Sequence, residues 1–450
     1  MIRVVQMLCL LLTLGGAVSA APTPTPWTDT PVAQELAATK LTQPIMKPPV
    51  YTVDMDAPAQ TRWSHINKDY ASKIGAIVDY FDQVVPAWAL PIVEKIASSL
   101  TSYFHVYGEE MEANAKDLNV SKGLIVMMNL IMQLEELGVN CSNWNETGPT
   151  RKDDPGCVDV DPSQEWCYCH EAQKAGAIRA DGYAPIFQAP RKTIAGAQHG
   201  SHPGLCTSVV SQANDGVLYH GRNLDWNMPP ALRAMIIDID FVKSGKKVFR
   251  GTGSAGVAGL FNGMAYSGSL SPTGKVSLGS YSVSIDARGK GGKLLDNILQ
   301  ALLVHSMTPS QHLRYVLAQA ADFESAVTQL STTPQIDENY FIVAGTKANE
   351  GAVIARGREK AVDVWRLDTT EPDGWFRLQT NYDHWNPPPA ADDRRTPGVR
   401  SMENVGRGGL STDAVWGVIT TFPVFNGHTD YSLIAVPSEG IYNSTVWMGA

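Results

Sequence analysis

Apolar residues recur with two different periods along the chain, and the change of period separates two parts. Over residues 66–137 they return every three or four positions, as at Ile74 and Ile77, which is the spacing of an amphipathic helix. From Cys206 onward, short β-branched runs between turn residues indicate strands. The sequence therefore predicts a helical first part and a second part rich in β-sheet.

The second part mixes strands with two helices. The predicted strands cover residues 206–211, 217–222, 234–242, 247–249, 340–345, 352–355, 362–367 and 375–380. Helices are predicted over 293–305 and 309–330. The second helix begins with Thr308 as N-cap, Pro309 at its first position and Gln311 completing a capping box. This order of elements favours layers of helix and sheet over a helical bundle.

The first 20 residues have the pattern of a secretory signal peptide. Arg3 supplies the positive start, an apolar stretch covers residues 7–14, and small residues stand at 18–20. The stretch is shorter than the roughly 20 apolar residues of a membrane-spanning helix, so we expect a cleaved signal rather than an anchor. The seven prolines of residues 21–49 then predict an extended leader.

Three N-glycosylation sequons, at Asn119, Asn145 and Asn443, agree with passage through the secretory route. Each of them alone has little weight, because such triplets are short and arise by chance. Together with the signal peptide, they predict a glycoprotein with a secreted or luminal address.

Charge and apolar surface limit the partners that we expect. The chain holds 36 lysines and arginines against 45 acidic residues, a formal net charge of -9, and it has no basic block. These features argue against a nucleic-acid partner. The apolar run 84–93 is broken by Pro86 and Pro91, and we interpret it either as a buried helix pair or as a surface that touches lipid.

The cysteines of the mature chain divide into a cluster and an outlier. Four of them lie between Cys141 and Cys169, and Cys206 stands apart. In an oxidising compartment the cluster predicts local disulfides, although the sequence does not choose their pairing. A zinc site at residues 167–170 is the alternative, but its ligand spacing is irregular. Cys206 is then the thiol expected to be unpaired.

A hairpin signal follows the strand of Cys206. If Asp215-Gly216 are the two central residues of the turn, counting back along the strands places Cys206 opposite Asp225. A carboxylate at that place can orient an α-amine on the cysteine. In the same register Arg222 falls on the opposite face of the sheet, so it joins the site only if the strand twists or bulges.

Three interpretations suit an unpaired cysteine at the start of a strand. A papain-like protease is disfavoured, because the residues around Cys206 lack its local signature. A structural free cysteine in the core is the second interpretation. The third is an N-terminal nucleophile: cleavage before Cys206 frees its own α-amine, whose ordinary pKa of about 7.7–8.0 suits a general base.

Several ordered motifs give the chain a family resemblance. They are Cys206–Val210, His220–Asp225, Tyr340–Thr346, Thr380–Trp385 and Asp392–Thr396, with Pro48–Trp63 as a weaker match. At these positions the sequence resembles the family of N-acylethanolamine-hydrolysing acid amidase and acid ceramidase. The resemblance covers most of residues 48–435, apart from much of 141–204.

The resemblance implies an α+β fold, the αββα sandwich of N-terminal-nucleophile hydrolases, with a mainly helical α-subunit packed on it. It also implies a zymogen that cleaves itself before Cys206 into an α-subunit, residues 21–205, and a β-subunit. The two products would remain together as an α/β heterodimer. The expected segments are the signal peptide 1–20, the leader 21–49, a helical part 60–139, a Cys-rich insert 140–205 and the catalytic β-subunit 206–450.

Roles for five residues follow from the resemblance. Cys206 is the expected nucleophile, Asp225 is expected to hold its α-amine, and Arg222 is expected to position the substrate or the nucleophile. Asn381 matches the residue that stabilises the oxyanion, because an amide N–H can donate to developing negative charge. Arg394 matches an arginine with a supporting role, although its surroundings in the sequence also suit an exposed charged turn.

The chain departs from the family pattern at two places. Ala287 stands where the family usually has a glutamate associated with self-processing. Its neighbour Asp286 is expected to point to the other face of the strand. The second departure is the long insert before Cys206, which is interpreted either as a removable plug or as a plug held by disulfides.

The implied reaction is hydrolysis of the amide bond of an N-acyl lipid through a fatty-acyl thioester, and it needs no metal or organic cofactor. His384 and the short stretch between Asp225 and Ile239 favour N-acylethanolamines as substrates. The alternatives are an acid ceramidase, which releases sphingosine and fatty acid, and a secreted lipid-binding homologue that never processes. An N-acyl lipid is expected to come from a membrane surface or a micelle.

Overall fold

The computed structural model describes residues 45–84, 107–130, 205–226, 228–271, 273–274, 276–288, 306–389 and 392–448, with four short strands between residues 138 and 185. The expected signal peptide, most of the leader and most of the Cys-rich insert lie outside these residues, as do the predicted helix 293–305 and nearly all of the apolar run 84–93. No helix in the described ranges is long and apolar enough to cross a membrane.

The elements are numbered along the chain. The helices of eight or more residues, and two shorter ones, are α1 (Ser64–Tyr70), α2 (Gly75–Val84), α3 (Gly108–Asp117), α4 (Lys122–Asn129), α5 (Pro230–Arg233), α6 (Pro309–Gln319), α7 (Phe323–Thr332), α8 (Arg395–Val405) and α9 (Thr412–Ile419). The strands are β1 (Ile45–Met46), β2 (Val50–Asp54), β3 (Gly138–Asn140), β4 (Cys157–Asp161), β5 (Gln164–Cys167), β6 (Tyr183–Pro185), β7 (Leu205–Gln212), β8 (Leu218–Asp225), β9 (Ile236–Lys243), β10 (Lys246–Ser254), β11 (Asn262–Leu270), β12 (Ser277–Ala287), β13 (Asn339–Ala344), β14 (Gly351–Arg356), β15 (Ala361–Arg366), β16 (Phe376–Gln379), β17 (Thr429–Val436) and β18 (Ile441–Trp447).

Two large sheets form the centre of the fold. Sheet A has the order β1-β18-β17-β8-β7-β16, and sheet B has the order β15-β14-β13-β12-β11-β10-β9-β2. β2 runs parallel to its neighbour β9, whereas the hairpin β7–β8 and its neighbours are antiparallel. Two further pairs are β3–β6 and β4–β5, and the second sets Cys157 opposite Cys167. The disulfides expected in this insert stay a prediction.

The two sheets pack face to face with helices outside them. Val210 of sheet A lies in one buried cluster with Ile342 of sheet B. Helices α6 and α7 pack on the outer side of sheet B, while α8 and α9 pack on sheet A, with Ile419 in the same cluster as Val209. This order of helix, sheet, sheet and helix confirms the predicted αββα sandwich.

The region predicted as one helix over 309–330 is two helices. α6 begins as predicted, with the Thr308 hydroxyl accepting from Gln311 N and the Gln311 side chain returning the bond. It ends at Gln319, and α7 begins after Asp322, which forms a second capping box with Ser325. The prediction of a single helix is wrong because the second cap starts a new helix within the apolar pattern.

The turn of the hairpin that carries Cys206 differs from the prediction. Ala213 N donates to Val217 O at 2.9 Å, and Gly216 N donates to Ala213 O at 3.1 Å. The loop therefore has three residues, 214–216, rather than two. Gly216 has a φ of 91°, the left-handed conformation that closes such a three-residue loop.

The longer turn shifts the register of the hairpin by one residue. Cys206 pairs with Leu224, and Leu205 pairs with Asp225. The predicted pairing of Cys206 with Asp225 is therefore wrong. Because a shift of one residue moves a side chain to the other face, Arg222 lies on the same face as Cys206 without the bulge that the prediction required.

The described part of residues 45–130 packs on both sheets. β1 pairs with β18 at the edge of sheet A, and β2 pairs with β9 at the edge of sheet B. The Trp63 ring meets Phe241 edge to face, with ring centroids 6.0 Å apart. Glu110 of α3 forms an ion pair with Arg314 of α6, with 2.6 Å between Oε2 and Nη1. The first part of the chain is thus joined to the second by strands, rings and a buried ion pair.

Candidate active site

Cys206 is the second residue of β7, and its side chain is buried between the sheets. Its nitrogen belongs to the peptide bond with Leu205, so the intact chain has no α-amine at this place. Burial raises the pKa of the thiol to about 12, although the Arg222 guanidinium acts to lower it. The thiol is therefore protonated near neutral pH, and any reaction of its sulfur requires a base.

Arg222 brings a positive charge to the sulfur. Its Nη2 donates to Cys206 Sγ at 3.6 Å and to the Ile285 carbonyl oxygen at 2.7 Å. Its Nη1 donates to Asn262 Oδ1 at 3.4 Å, a residue of β11 that no sequence motif singles out. A cation in contact with sulfur favours the thiolate, which is the nucleophilic form of cysteine.

Asn381 lies beside Cys206 because β16 pairs with β7. Gln379 is opposite Ser208, and continuing the antiparallel register brings Asn381 level with Cys206. Its Oδ1 accepts from Cys206 N at 2.7 Å, and its Nδ2 donates to the Ala287 carbonyl oxygen at 2.8 Å. The amide therefore ties the beginning of β7 to the end of β12, and it places an N–H donor in the group that contacts Cys206.

Arg394 is buried and contacts the backbone of Cys206. Its Nη1 donates to Cys206 O, and its Nη2 donates to Asn381 Oδ1, each at 2.7 Å. Asp392 accepts from the guanidinium with both oxygens, at 2.8 and 2.9 Å, and Asp225 Oδ2 lies 3.4 Å from Nη1. The alternative of an exposed charged turn is wrong for Arg394, because two carboxylates compensate its buried charge.

Asp225 ends β8 on the face of the sheet opposite to the Cys206 side chain. Its Oδ1 accepts from Thr429 Oγ1 at 2.7 Å, and its Oδ2 is the oxygen that contacts Arg394. In the intact chain the Cys206 N–H donates to Asn381, so Asp225 is linked to the backbone of Cys206 through Arg394. That Asp225 holds an α-amine stays a prediction about the cleaved chain.

Asp286 joins the site against expectation. Its Oδ1 accepts from Ser208 Oγ at 2.8 Å and lies 3.5 Å from Arg222 Nε. Asp286 lies on the face of β12 opposite to that of Ala287, as expected, but this face looks into the gap between the sheets, where Arg222 also points. The sequence offers one signal for this face, the alternating polar residues Ser282, Ser284 and Asp286 in a buried strand.

A buried ion pair fixes the loop that carries Asn381. Arg288 Nε donates to Asp383 Oδ1 at 2.8 Å, and Arg288 Nη2 donates to Asp383 Oδ2 at 3.2 Å. The Tyr340 hydroxyl donates to the same carboxylate at 2.7 Å. Asp383 is therefore a buried anchor between the loop and sheet B rather than a surface turn residue.

Apolar side chains lie next to Cys206. Cys206 belongs to a buried cluster with Phe261 and Leu433, against which Trp226 and Met228 pack. Such side chains suit a hydrocarbon chain better than a charged ligand. Across the described ranges, no group of three or more His, Cys, Asp or Glu side chains is placed to hold a metal ion.

Two family models match separate parts of the chain. Residues 46–105 match the beta subunit of N-acylethanolamine-hydrolyzing acid amidase. Residues 206–414 match the linear amide C–N hydrolases of the choloylglycine hydrolase family. The second match begins at Cys206, the residue that the register and the polar contacts place at the centre of the site.

Individual relatives extend these matches over most of the chain. The N-acylethanolamine-hydrolyzing acid amidase of Rattus norvegicus is 30% identical over 397 residues, covering 87% of this chain and 86% of its own. The Caenorhabditis elegans protein of the same name is 29% identical over 409 residues, with 89% and 94% covered. Human acid ceramidase is 30% identical over 257 residues, covering 53% and 61%. A solved structure of the Caenorhabditis elegans ortholog is 32% identical and covers 52% of this chain and 94% of its own, with a TM-score of 0.45.

Proposed function

Since the chain belongs to the family of amide hydrolases that includes N-acylethanolamine-hydrolyzing acid amidase, we propose that it hydrolyses N-acylethanolamines with Cys206 as the nucleophile. The observation that carries the proposal is the contact of 3.6 Å between Arg222 Nη2 and Cys206 Sγ, which puts a permanent cation on a buried thiol. Over similar lengths of this chain, the amidase of Rattus norvegicus is 30% identical, whereas the acid ceramidase of Balaenoptera acutorostrata scammoni is 22% identical, which supports the ethanolamide class.

The nucleophile first acts on its own chain. The Cys206 sulfur attacks the carbonyl carbon of Leu205 and loses its proton to a base. As the C–N bond breaks, the nitrogen takes up a proton and becomes the α-amine of a new chain. Water then hydrolyses the thioester on Cys206 and restores the thiol. Asn381 and Arg394 support this step, because they bind the nitrogen and the carbonyl oxygen of the residue after the scissile bond.

In each turnover the new α-amine accepts the thiol proton, and the thiolate attacks the amide carbon of the substrate. The ammonium returns the proton to the departing ethanolamine nitrogen, which leaves a fatty-acyl thioester on Cys206. Water attacks the thioester, gives its proton to the amine, and releases the fatty acid and the thiol. Arg222 favours the thiolate, the Asn381 amide donates to the oxyanion, and Asp225 with Arg394 holds the α-amine.

The reaction is proposed to occur in the acidic lysosomal lumen or, if the protein is secreted, outside the cell. The signal-peptide pattern supports this location, and the sequon residues Asn119 and Asn443 are exposed, as glycan acceptors must be. The substrate would be taken from a membrane surface or a micelle, with its acyl chain against Phe261 and Trp226. The α and β chains would act as a heterodimer.

Replacement of Cys206 tests the nucleophile. After incubation near pH 5, intact mass and N-terminal sequencing should show a wild-type fragment that begins at Cys206, whereas the C206A chain stays whole and does not hydrolyse palmitoyl-ethanolamide. The matched control is S211A, because Ser211 is a buried hydroxyl on the same strand with no hydrogen-bond partner among the described residues. A C206A protein that kept its hydrolytic activity would refute the assignment.

The substrate class is tested separately by the relative rates on palmitoyl-ethanolamide and on ceramide. We expect a higher kcat/KM for the ethanolamide. Ceramide turnover that equals or exceeds it would contradict the proposed substrate and would leave the nucleophile assignment untouched.

A further inference from the structure

We propose that Asp286 is a positioning residue of the amide hydrolysis: its carboxyl group holds the Arg222 guanidinium, and the proton on that carboxyl group sets how strongly the guanidinium favours the Cys206 thiolate. The inference rests on the proposed nucleophile. It assigns a role to a carboxyl group that neither the self-cleavage nor the turnover described above uses.

The geometry links Asp286 to the sulfur through one guanidinium. Arg222 Nη2 contacts Cys206 Sγ at 3.6 Å, while Arg222 Nε lies 3.5 Å from Asp286 Oδ1. The Asp286 and Arg222 side chains are both 0% exposed, so water does not screen the pair. Arg222 Nε makes no hydrogen bond within the described structure, which leaves Asp286 as the charge it faces.

The Asp286 carboxyl group has one engaged oxygen and one unengaged oxygen. Oδ1 accepts from Ser208 Oγ at 2.8 Å, whereas Oδ2 is buried without a hydrogen-bond partner among the described residues. An ionised carboxylate with a bare buried oxygen is costly, while a protonated one carries its hydrogen there. Burial accordingly raises the pKa of Asp286 to about 7, although the Arg222 charge opposes the shift.

The other titratable side chains around Asp286 keep one protonation state near neutrality, so the α-amine that cleavage frees on Cys206 is the remaining group that titrates there. On β8, burial lowers the pKa of His220 to about 3, and this neutral ring is hydrogen-bonded to Ser282 and Ser284. On β13, burial raises the pKa of Tyr340 far above its ordinary range. On β7 the Cys206 thiol has a raised pKa, and the charges of Arg222 and Arg394 are permanent.

Asp286 therefore changes the charge next to the sulfur between acidic and neutral pH. Below about pH 7 its carboxyl group is protonated, and the whole positive charge of Arg222 acts on Cys206. Above that pH the carboxylate neutralises Arg222 and adds a negative charge, and both effects raise the pKa of the thiol. Arg222 therefore favours the Cys206 thiolate more strongly at low pH than at high pH.

The variant D286N tests this assignment, because it keeps the shape of the side chain and removes its titration. We expect the kcat/KM of the processed wild-type enzyme to fall as the pH rises through about 7, and the fall to be shallower in D286N. At about pH 8 roughly one carboxyl group in ten would still be protonated, so D286N should exceed the wild type by up to about tenfold. The alkylation rate of the Cys206 thiol by iodoacetamide should show the same difference without substrate.

Two further variants separate positioning from a structural role. D286E has a carboxyl group that titrates, so its kcat/KM should again fall as the pH rises, unlike that of D286N. S208A removes the hydrogen bond that favours the ionised carboxylate, so it should move the fall to higher pH. The matched control is S282A, a buried serine on the same strand that contacts His220 and not Arg222, and its pH profile should keep the wild-type shape.

A D286N enzyme whose rates fall by one common factor at every pH would overturn the proposal, as would an S208A profile unchanged from the wild type. S208A keeps the test decisive if D286N does not fold or process. A C206A control, inactive in both assays, shows that the nucleophile assignment stands even where the Asp286 variants contradict this inference.

Discussion

At the scale of single residues, the site holds Cys206, its proposed nucleophile, at both the side chain and the backbone. Arg222 contacts the sulfur, while Asn381 and Arg394 bind the nitrogen and the carbonyl oxygen of Cys206. Groups that are already in place need no reorganisation when charge develops, which is the main way in which polar sites lower a barrier. The two sets of contacts therefore have separate effects, one on the protonation of sulfur and one on the geometry of attack.

Replacement of Asn381 by alanine should lower kcat and leave KM nearly unchanged. The amide N–H is assigned to the oxyanion, which exists in the transition state and not in the bound substrate, and loss of such a donor costs about 10²–10³ in kcat. The rates should be measured on palmitoyl-ethanolamide. The enzyme used should be processed protein whose N-terminus at Cys206 has been confirmed by sequencing. The rate of self-cleavage is expected to fall as well, since Asn381 also binds the Cys206 nitrogen.

The control for this change is N386A in the same loop. Asn386 is an exposed residue of the same type, so it should retain wild-type kcat and KM. An N381A enzyme with normal kcat and a raised KM would show that Asn381 binds substrate instead of stabilising the oxyanion.

Three of the four residues expected beside Cys206, namely Arg222, Asn381 and Arg394, contact it directly. They could be found because they lie in short motifs that resemble the family. Asp286 shows why the remainder could not. The sequence shows an aspartate at position 286, but this residue belongs to the site only if its side chain lies on the face of β12 that meets Arg222. The face of Arg222 depends in turn on the length of a turn. A residue-level prediction therefore failed through an element-level error.

At the scale of elements, the turn 214–216 decides which side chains meet at Cys206. A two-residue turn would pair Cys206 with Asp225, whereas the three-residue turn pairs it with Leu224 and puts Arg222 on its face. The residues Asp215-Gly216 suit a two-residue turn and a three-residue turn alike, so the sequence does not distinguish the two turns. Packing against sheet B selects the register that buries Cys206 and Arg222 together.

Gly216 should be sensitive to alanine for a purely conformational reason. Its φ is 91°, and a Cβ built there meets no atom within 4 Å, so the cost is the left-handed backbone alone. We expect G216A to lower the free energy of unfolding by about 1–2 kcal/mol, measured by urea denaturation. G417A is the control, because Gly417 lies in α9 with open space around it and no positive φ. That variant should be neutral or stabilising by up to about 1 kcal/mol, and equal losses in both variants would contradict the turn argument.

Some elements had too little local signal to be predicted. β11 contains Gly263, Gly268 and two serines near its end, which weaken a strand pattern, yet it is a central strand of sheet B. Its strand conformation comes from burial between β10 and β12 rather than from its own residues. The start of helix α6 was predictable because its local signal is strong: four consecutive residues, Thr308 to Gln311, form its capping box.

At the scale of the whole molecule, the first part of the chain is built into the part that holds Cys206. β1 and β2 are only a few residues apart, and they add an edge strand to sheet A and to sheet B respectively. One short segment therefore spans the two layers that hold Cys206 and Asp286. If the chain is cleaved before Cys206, these strands and the ion pair of Glu110 with Arg314 would keep the two products together.

Glu110 should contribute far more to this assembly than a glutamate two residues away. Its carboxylate is buried and accepts from Trp63 Nε1 at 2.7 Å and from both terminal nitrogens of Arg314, at 2.6 and 3.0 Å. E110Q leaves the buried Arg314 charge without its partner, so urea unfolding should show a loss of about 3–5 kcal/mol. The control is E112Q on the same helix, because Glu112 pairs with Lys122 in solvent and such a pair is worth about 0–1 kcal/mol. Equal midpoints for the two variants would mean that the edge strands, and not the ion pair, hold the first part of the chain on the catalytic sheets.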